Sequence, residues 1–177
     1  MFQKRIENFK KLNEISPSVE LMAQMIKKAL EEGNKILLCG NGGSASDCNH
    51  IAAEFISRFQ KERASMPAIS LASNNSIITA IANDYDFENI FSRQIEGLGN
   101  KNDILVAIST SGKSKNVIKA LEMAKKQGLK TILLTGQNRT NFDIDLEINA
   151  PSDITCEIQE MHIAIGHLIC EFVENNI

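Results

Sequence analysis

The sequence predicts an α/β fold of three layers, with helices on both faces of a central, mainly parallel five-stranded sheet and two extra helices at the N-terminus. Two observations predict it. From Lys35 onward, short apolar runs alternate with stretches of helical period, the pattern of strands joined by crossover helices. Two of those runs end in small-residue loops that open directly into helices, as at the ligand-binding edge of an open α/β sheet. At 177 residues the chain fits one domain, since domains of roughly 100–200 residues bury about two thirds of their unfolded surface. It divides into N-terminal helices over 1–32 and an αβα core over 35–177.

Within residues 1–32, Phe2, Ile6 and Phe9, then Leu21, Met22, Met25, Ile26 and Leu30, lie at helical spacing, interrupted by Ser16-Pro17-Ser18. Two amphipathic helices follow from this. They precede the first strand and so are not crossovers; they cover a face of the sheet or pack on another chain. Strands are expected at 36–39, 68–72, 104–108, 131–135 and 144–148, and helices near 44–60, 75–97 in two pieces, 114–127 and 156–174. Such short apolar runs suit a parallel sheet covered on both faces. Gly128 after Lys125-Lys126-Gln127 marks a helix end, and Thr155 is expected to cap the start of the last helix.

Composition excludes several classes. Hydrophobic residues make up 43% and charged residues 23%, the mix of a globular chain and not of a disordered one. The net charge of −3 with scattered lysines and arginines gives no basic stripe, so nucleic acid is not an expected partner. No run approaches the roughly 18 apolar residues of a membrane span, and MFQKRIENFK lacks the apolar core of a signal peptide. A cytoplasmic location without membrane contact is expected. Cys39, Cys48, Cys156 and Cys170 form no CxxC pair and read as reduced thiols, with packing the role expected for Cys48.

The two loops are Gly40-Asn41-Gly42-Gly43-Ser44-Ala45 and Ser109-Thr110-Ser111-Gly112-Lys113-Ser114. Glycines let the first approach a ligand closely. The second offers hydroxyls beside a helix start, where free N–H groups and the dipole favour an anion. Together they suit a phosphate ester; taken singly, each is also an ordinary polar turn. The first loop matches the G-x-G-x-x-A dinucleotide pattern as Gly40, Gly42 and Ala45. That reading requires an acidic residue after the next strand, where Ser73-Asn74-Asn75 stands instead. No nucleotide cofactor is expected.

After the glycine loop, Asp47, His50, Glu54, Ser57 and Lys61 form a polar stripe opposite Ile51, Phe55 and Phe59. This is either a solvated helix face or, through the i, i+4 pair His50 and Glu54, two metal ligands or a ligand and a base aimed at one point. In the last helix Gln159 and His167 lie off the apolar stripe, eight residues apart, about 12 Å of rise and roughly 80° of rotation. One small ligand reaches both only from between them, or with a neighbouring chain's help. His162 borders the stripe and reads as a hydrogen-bonded packing residue.

Gly40-Asn41-Gly42-Gly43-Ser44-Ala45, His50-Ile51-Ala52-Ala53-Glu54, the serine loop and Ile158-Gln159-Glu160-Met161-His162, taken in order, resemble the phosphoheptose isomerases of the sugar isomerase (SIS) family over nearly the whole chain. The resemblance implies a homotetramer with sites at subunit interfaces and conversion of sedoheptulose 7-phosphate to D-glycero-D-manno-heptose 7-phosphate. That product feeds bacterial lipopolysaccharide or capsule. It implies Glu54 and His167 as the acid/base pair, and His50, Glu54, Gln159 and His167 as ligands of a zinc ion. Substrate contacts carry over to Asn41, Gly42, Gly43, Ser44, Glu54, Asn83, Asp84, Ser109, Thr110, Ser111, Ser114 and Gln159. Asn49 and Glu157 depart from the glutamine and arginine common there. The rival is a non-catalytic SIS protein that binds a sugar phosphate or associates with a replication initiator; it would keep the loops and lose the acid/base pair.

Overall fold

A computed structural model of the chain describes residues 2–177. Five strands, β1 (Ile36–Gly40), β2 (Ala68–Ser70), β3 (Ile104–Ile108), β4 (Lys130–Thr135) and β5 (Leu146–Asn149), form one sheet. Its order is β2-β1-β3-β4-β5 and every pairing is parallel. The winding direction reverses between β1 and β3, and there the crevice for a ligand opens in such sheets. Gly40 pairs with Ile108, which sets the loops after these two strands level with one another.

Side chains alternate across the strands, and two apolar cores result. On one face Ile36, Leu38, Val106, Ile108, Ile132 and Leu134 meet α2 (Ser16–Glu31), α3 (Gly43–Ile56) and α7 (Thr155–Asn176). On the other, Leu37, Cys39, Leu105, Ala107 and Leu133 meet the layer of α4 (Asn75–Asp84), α5 (Ser92–Leu98) and α6 (Lys115–Lys126). The first helix, α1 (Gln3–Lys11), lies against α7, and a 3-10 turn over Leu12–Ile15 leads from it into α2, with Pro17 in its first turn. The second N-terminal helix thus covers the sheet, burying Met22, Ala23, Ile26 and Ala29. The apolar residues of α1 stay exposed, Ile6 at 49% and Phe9 at 43%, as does Phe2 just before it.

Boundaries differ from expectation for local reasons. The helix expected at 44–60 stops at Ile56, because Arg63 binds the carbonyls of Glu54 and Phe55 at 2.7 and 2.9 Å and ends the ladder. Ser57 and Lys61 therefore fall outside the polar stripe. Gly128 does end α6: at φ +78° it lets Leu129 N–H reach Ala124 O and Gly128 N–H reach Lys125 O, a paired C-terminal closure. Thr155 does not cap α7. It is the first helical residue, and Ser152 takes the Ile154 N–H at 3.1 Å while donating to Glu157 at 2.8 Å.

Candidate active site at the α3–α7 seam

The glycine loop is built by backbone geometry. Gly42 sits at φ +56° immediately before α3, a left-handed conformation that glycine adopts without a Cβ penalty. At Gly43 any Cβ would collide with the side-chain amide of Gln159. Asn41 and Asn116 exchange two amide hydrogen bonds, each 2.8 Å, tying this loop to the start of α6. Ser44 is buried behind it.

In the serine loop, buried Ser109 donates to Ser114 at 3.2 Å, and Ser111 accepts the Lys113 N–H at 3.2 Å. No side chain caps α6; the Val117 N–H bonds the Ser114 carbonyl at 3.0 Å, and the N–H groups of Lys115 and Asn116 remain open to an anion. Thr110, Ser111 and Lys113 also line a cleft of about 300 Å³ with Gln137, Asn138 and Asp153.

The seam between α3 and α7 gathers the ionisable groups. Gln159 meets Gly43 at one level, and His167 meets His50 farther along, so the two helices run side by side in the same direction. His50 Nε2 and His167 Nε2 are 2.8 Å apart, and Glu54 Oε1 lies 3.7 Å from His50 Nε2. Phe59 packs on the His167 ring, centroids 5.5 Å apart. Among the described residues no group of three or more histidine, cysteine, aspartate or glutamate side chains is arranged to hold a metal ion. By donor type, however, two imidazole nitrogens and a nearby carboxylate are those zinc takes. The fourth implied ligand, Gln159, has its amide against Gly43 at the start of α3, about two turns before His50 on that helix. Asn83 and Asp84, at the end of α4, are exposed and bonded to each other at 2.9 Å. No hydrogen bond or ion pair among the described residues joins them to either loop.

Other groups fall into supporting roles. His162 is buried and binds the Thr135 carbonyl at 3.1 Å; the carbonyl requires an N–H on Nε2. Burial pulls its pKa down to about 4. Asp47 Oδ2 and His162 Nδ1 lack partners, and both residues line an internal cavity of about 20 Å³, room for one water. Burial, aided by Cys39 and Asp47, pushes the Cys48 thiol well up, which makes it packing and no nucleophile. Burial raises Cys39 as well, and raises Cys170 to about 12. Sequence reasoning missed Asn116, Arg63, Glu174 and the contact of Phe59 with His167. Asn116 lies two residues after Ser114, but Arg63 and Glu174 meet across 111 positions, and no spacing announces that.

The family described as "SIS domain" matches residues 2–136. A phosphoheptose isomerase of Akkermansia muciniphila is 47% identical over 97% of this chain and 92% of its own length. The structure of phosphoheptose isomerase GmhA from Neisseria gonorrhoeae superposes with a TM-score of 0.92 at 36% identity, covering 98% of this chain and 95% of that one. A phosphoheptose isomerase structure from Francisella tularensis gives 0.94 at 35%, covering 99% and 95%.

Proposed function

Because this chain belongs to the SIS-domain family, and within it to the phosphoheptose isomerases, we propose that it interconverts sedoheptulose 7-phosphate and D-glycero-D-manno-heptose 7-phosphate, using Glu54 and His167. The observation that carries the residue assignment is the meeting of His50, Glu54 and His167 across the α3–α7 seam. Such an aldose–ketose isomerisation moves a proton between C1 and C2 through an enediol. It needs a base at carbon and an acid at oxygen. Glu54, only partly exposed, takes the proton from carbon. His167, steadied by Phe59 and paired with His50, delivers a proton to oxygen. Positioned groups of this kind each contribute about 10²–10⁴-fold.

The serine loop holds the phosphate through Ser109, Thr110, Ser111 and Ser114 with the open N–H groups of α6. Asn41, Gly42, Gly43, Ser44 and Gln159 line the sugar, and Asn83 and Asp84 contact it from the end of α4. A zinc ion would be held by His50, Glu54 and His167, with Gln159 as the remaining donor, and would polarise a substrate oxygen. The exposed apolar residues of α1, with Leu168 beside His167 at 51% exposure, support assembly into a homotetramer whose neighbours complete the site. The product enters heptose biosynthesis for lipopolysaccharide or capsule, in the cytoplasm. No described helix is long and apolar enough to cross a membrane.

The test is direct conversion of sedoheptulose 7-phosphate by purified protein without nicotinamide, followed by NMR of the sugar. Appearance of the aldoheptose phosphate is expected. Binding of the sugar phosphate with no conversion would favour the non-catalytic reading.

A further inference from the structure

We infer that Arg63, locked by Glu174, is a positioning residue for both members of the acid/base pair; this rests on the roles of Glu54 and His167 given above. The last carbonyls of a helix have no partners within it, and those of α3 end beside Glu54. Arg63 partners two of them: Nη2 donates to Glu54 O at 2.7 Å and Nη1 to Phe55 O at 2.9 Å, which also accepts the Met66 N–H at 3.1 Å, while Nη1 reaches Ala64 O beyond the helix at 3.0 Å. A cation at a helix C-terminus is favoured by the dipole as well. The guanidinium thus grips the backbone of the proposed base itself.

Glu174 closes the other side. Its side chain is 2% exposed and lies 3.2 Å from Arg63 Nε, a charge contact without the alignment of a hydrogen bond. Its two oxygens accept the N–H groups of Phe59, Gln60 and Lys61 at 2.9, 2.7 and 2.8 Å. These three backbone bonds, with the Arg63 charge, hold the Glu174 carboxyl below its ordinary pKa against the opposing effect of burial. Phe59 is the residue that packs on His167. Glu174 also stands seven residues after His167 on α7, about two turns along the same helix.

One ion pair, its carboxylate buried and its guanidinium half-buried, therefore fixes three things together: the end of α3 that carries Glu54, the loop that sets Phe59 against the His167 ring, and the distance between α3 and α7. Neither Arg63 nor Glu174 has a hydrogen bond or ion pair to His50, Glu54's carboxylate or His167. They act through position. Misplacement of reacting groups by about 1 Å can cost on the order of 10²-fold in rate.

The experiment compares the full-length protein with Arg63→Lys, Glu174→Gln and Phe59→Leu. Thermal unfolding, kcat and KM for sedoheptulose 7-phosphate, and the imidazole NMR signals are recorded for each. Three histidines in the chain make the last tractable. Arg63→Lys keeps the cation and loses the fork. It is expected to stay folded, with kcat down at least about tenfold, KM within about twofold, and a shifted His167 signal beside an unmoved His162 signal. Phe59→Leu, outside any helix and only partly buried, should reproduce the kcat loss if the arginine variant does not fold. Folded variants with wild-type kcat and an unmoved His167 signal would overturn the inference, as would a KM rise equal to the fall in kcat. An inactive wild-type protein would instead refute the function, which separates the two failures.

Discussion

Replacing Gly43 by alanine should divide folding from function. Gly43 opens α3 without a positive φ, so alanine suits the backbone, and glycine-to-alanine exchange in a helix is worth at most about 1 kcal/mol. For a chain of this size that corresponds to a rise of no more than about 4 °C in the unfolding midpoint. The new Cβ, however, enters the space of Gln159, overlapping its Nε2 and meeting Cδ at 2.9 Å and Oε1 at 3.2 Å. These atoms end a flexible side chain, so the amide swings out and the fold survives. A neutral hydrogen bond to substrate lost in this way costs about 1 ± 0.5 kcal/mol, or roughly two- to twelve-fold in kcat/KM. Calorimetry and the sugar NMR assay on one preparation measure both. An unchanged kcat/KM would remove Gln159 from the list of sugar contacts, and a midpoint lowered by several degrees would show that the amide has nowhere to go.

Glu54→Gln and His167→Gln should each keep the fold and lower kcat by roughly 10²-fold or more, and their combination should lose much less than the product of the two losses, because both act on one enediol. Near-normal turnover in either single variant would reduce that residue to a contact or ligand. Glu157 makes a pH prediction: Lys4 first, then Ser152 and Asn8, hold its pKa down to about 2 from an ordinary 4.5. A depressed carboxylate stabilises the folded state above its unfolded pKa, and that share disappears as pH falls through about 2. The Asn8 side-chain amide, bonded to Glu157 at 2.8 Å, should report α1 leaving α7 between pH 4.5 and 2; the same acid profile in Glu157→Gln would assign the loss elsewhere.

The sheet was legible because its strands are continuous apolar runs, and their parallel pairing and five-strand count follow from that pattern. Both loops were legible because two small-residue loops follow strands and open into helices at the same sheet edge, where either alone reads as an ordinary polar turn. The His50 and Glu54 pairing was visible as i, i+4 on one helix. What lay hidden is tertiary. His167 reaches His50 across 117 positions, and spacing within α7 shows only that a ligand touching both His167 and Gln159 lies between them or is shared with a neighbouring chain. The parallel run of α3 beside α7 gives each a different partner, Gly43 for Gln159 and His50 for His167. The early stop of α3 was equally hidden, since Ser57 and Lys61 continue the polar period and it is Arg63, folding back from two residues beyond Lys61, that binds the last carbonyls.

The departure at Glu157 can be judged on the same physical terms. A carboxylate where the resemblance expects an arginine reverses a charge at the start of the helix that carries Gln159 and His167, and buried charge without a partner is costly. Here the partners come from α1. Lys4 and Arg5 lie 2.6 and 3.2 Å from Oε1, while Asn8 and Ser152 each donate to Oε2 at 2.8 Å. Arg5 also reaches Glu160 at 2.8 Å, so the positive charge is present at this end of α7 but arrives from the N-terminal helix. An acidic residue in the first turn of a helix is moreover favoured by its dipole. The reversal is thus absorbed between α1 and α7. Glu157 reaches the cleft beside the serine loop through Ser152, and its bonds fix how α1 docks, with no hydrogen bond or ion pair among the described residues from it to His50, Glu54 or His167.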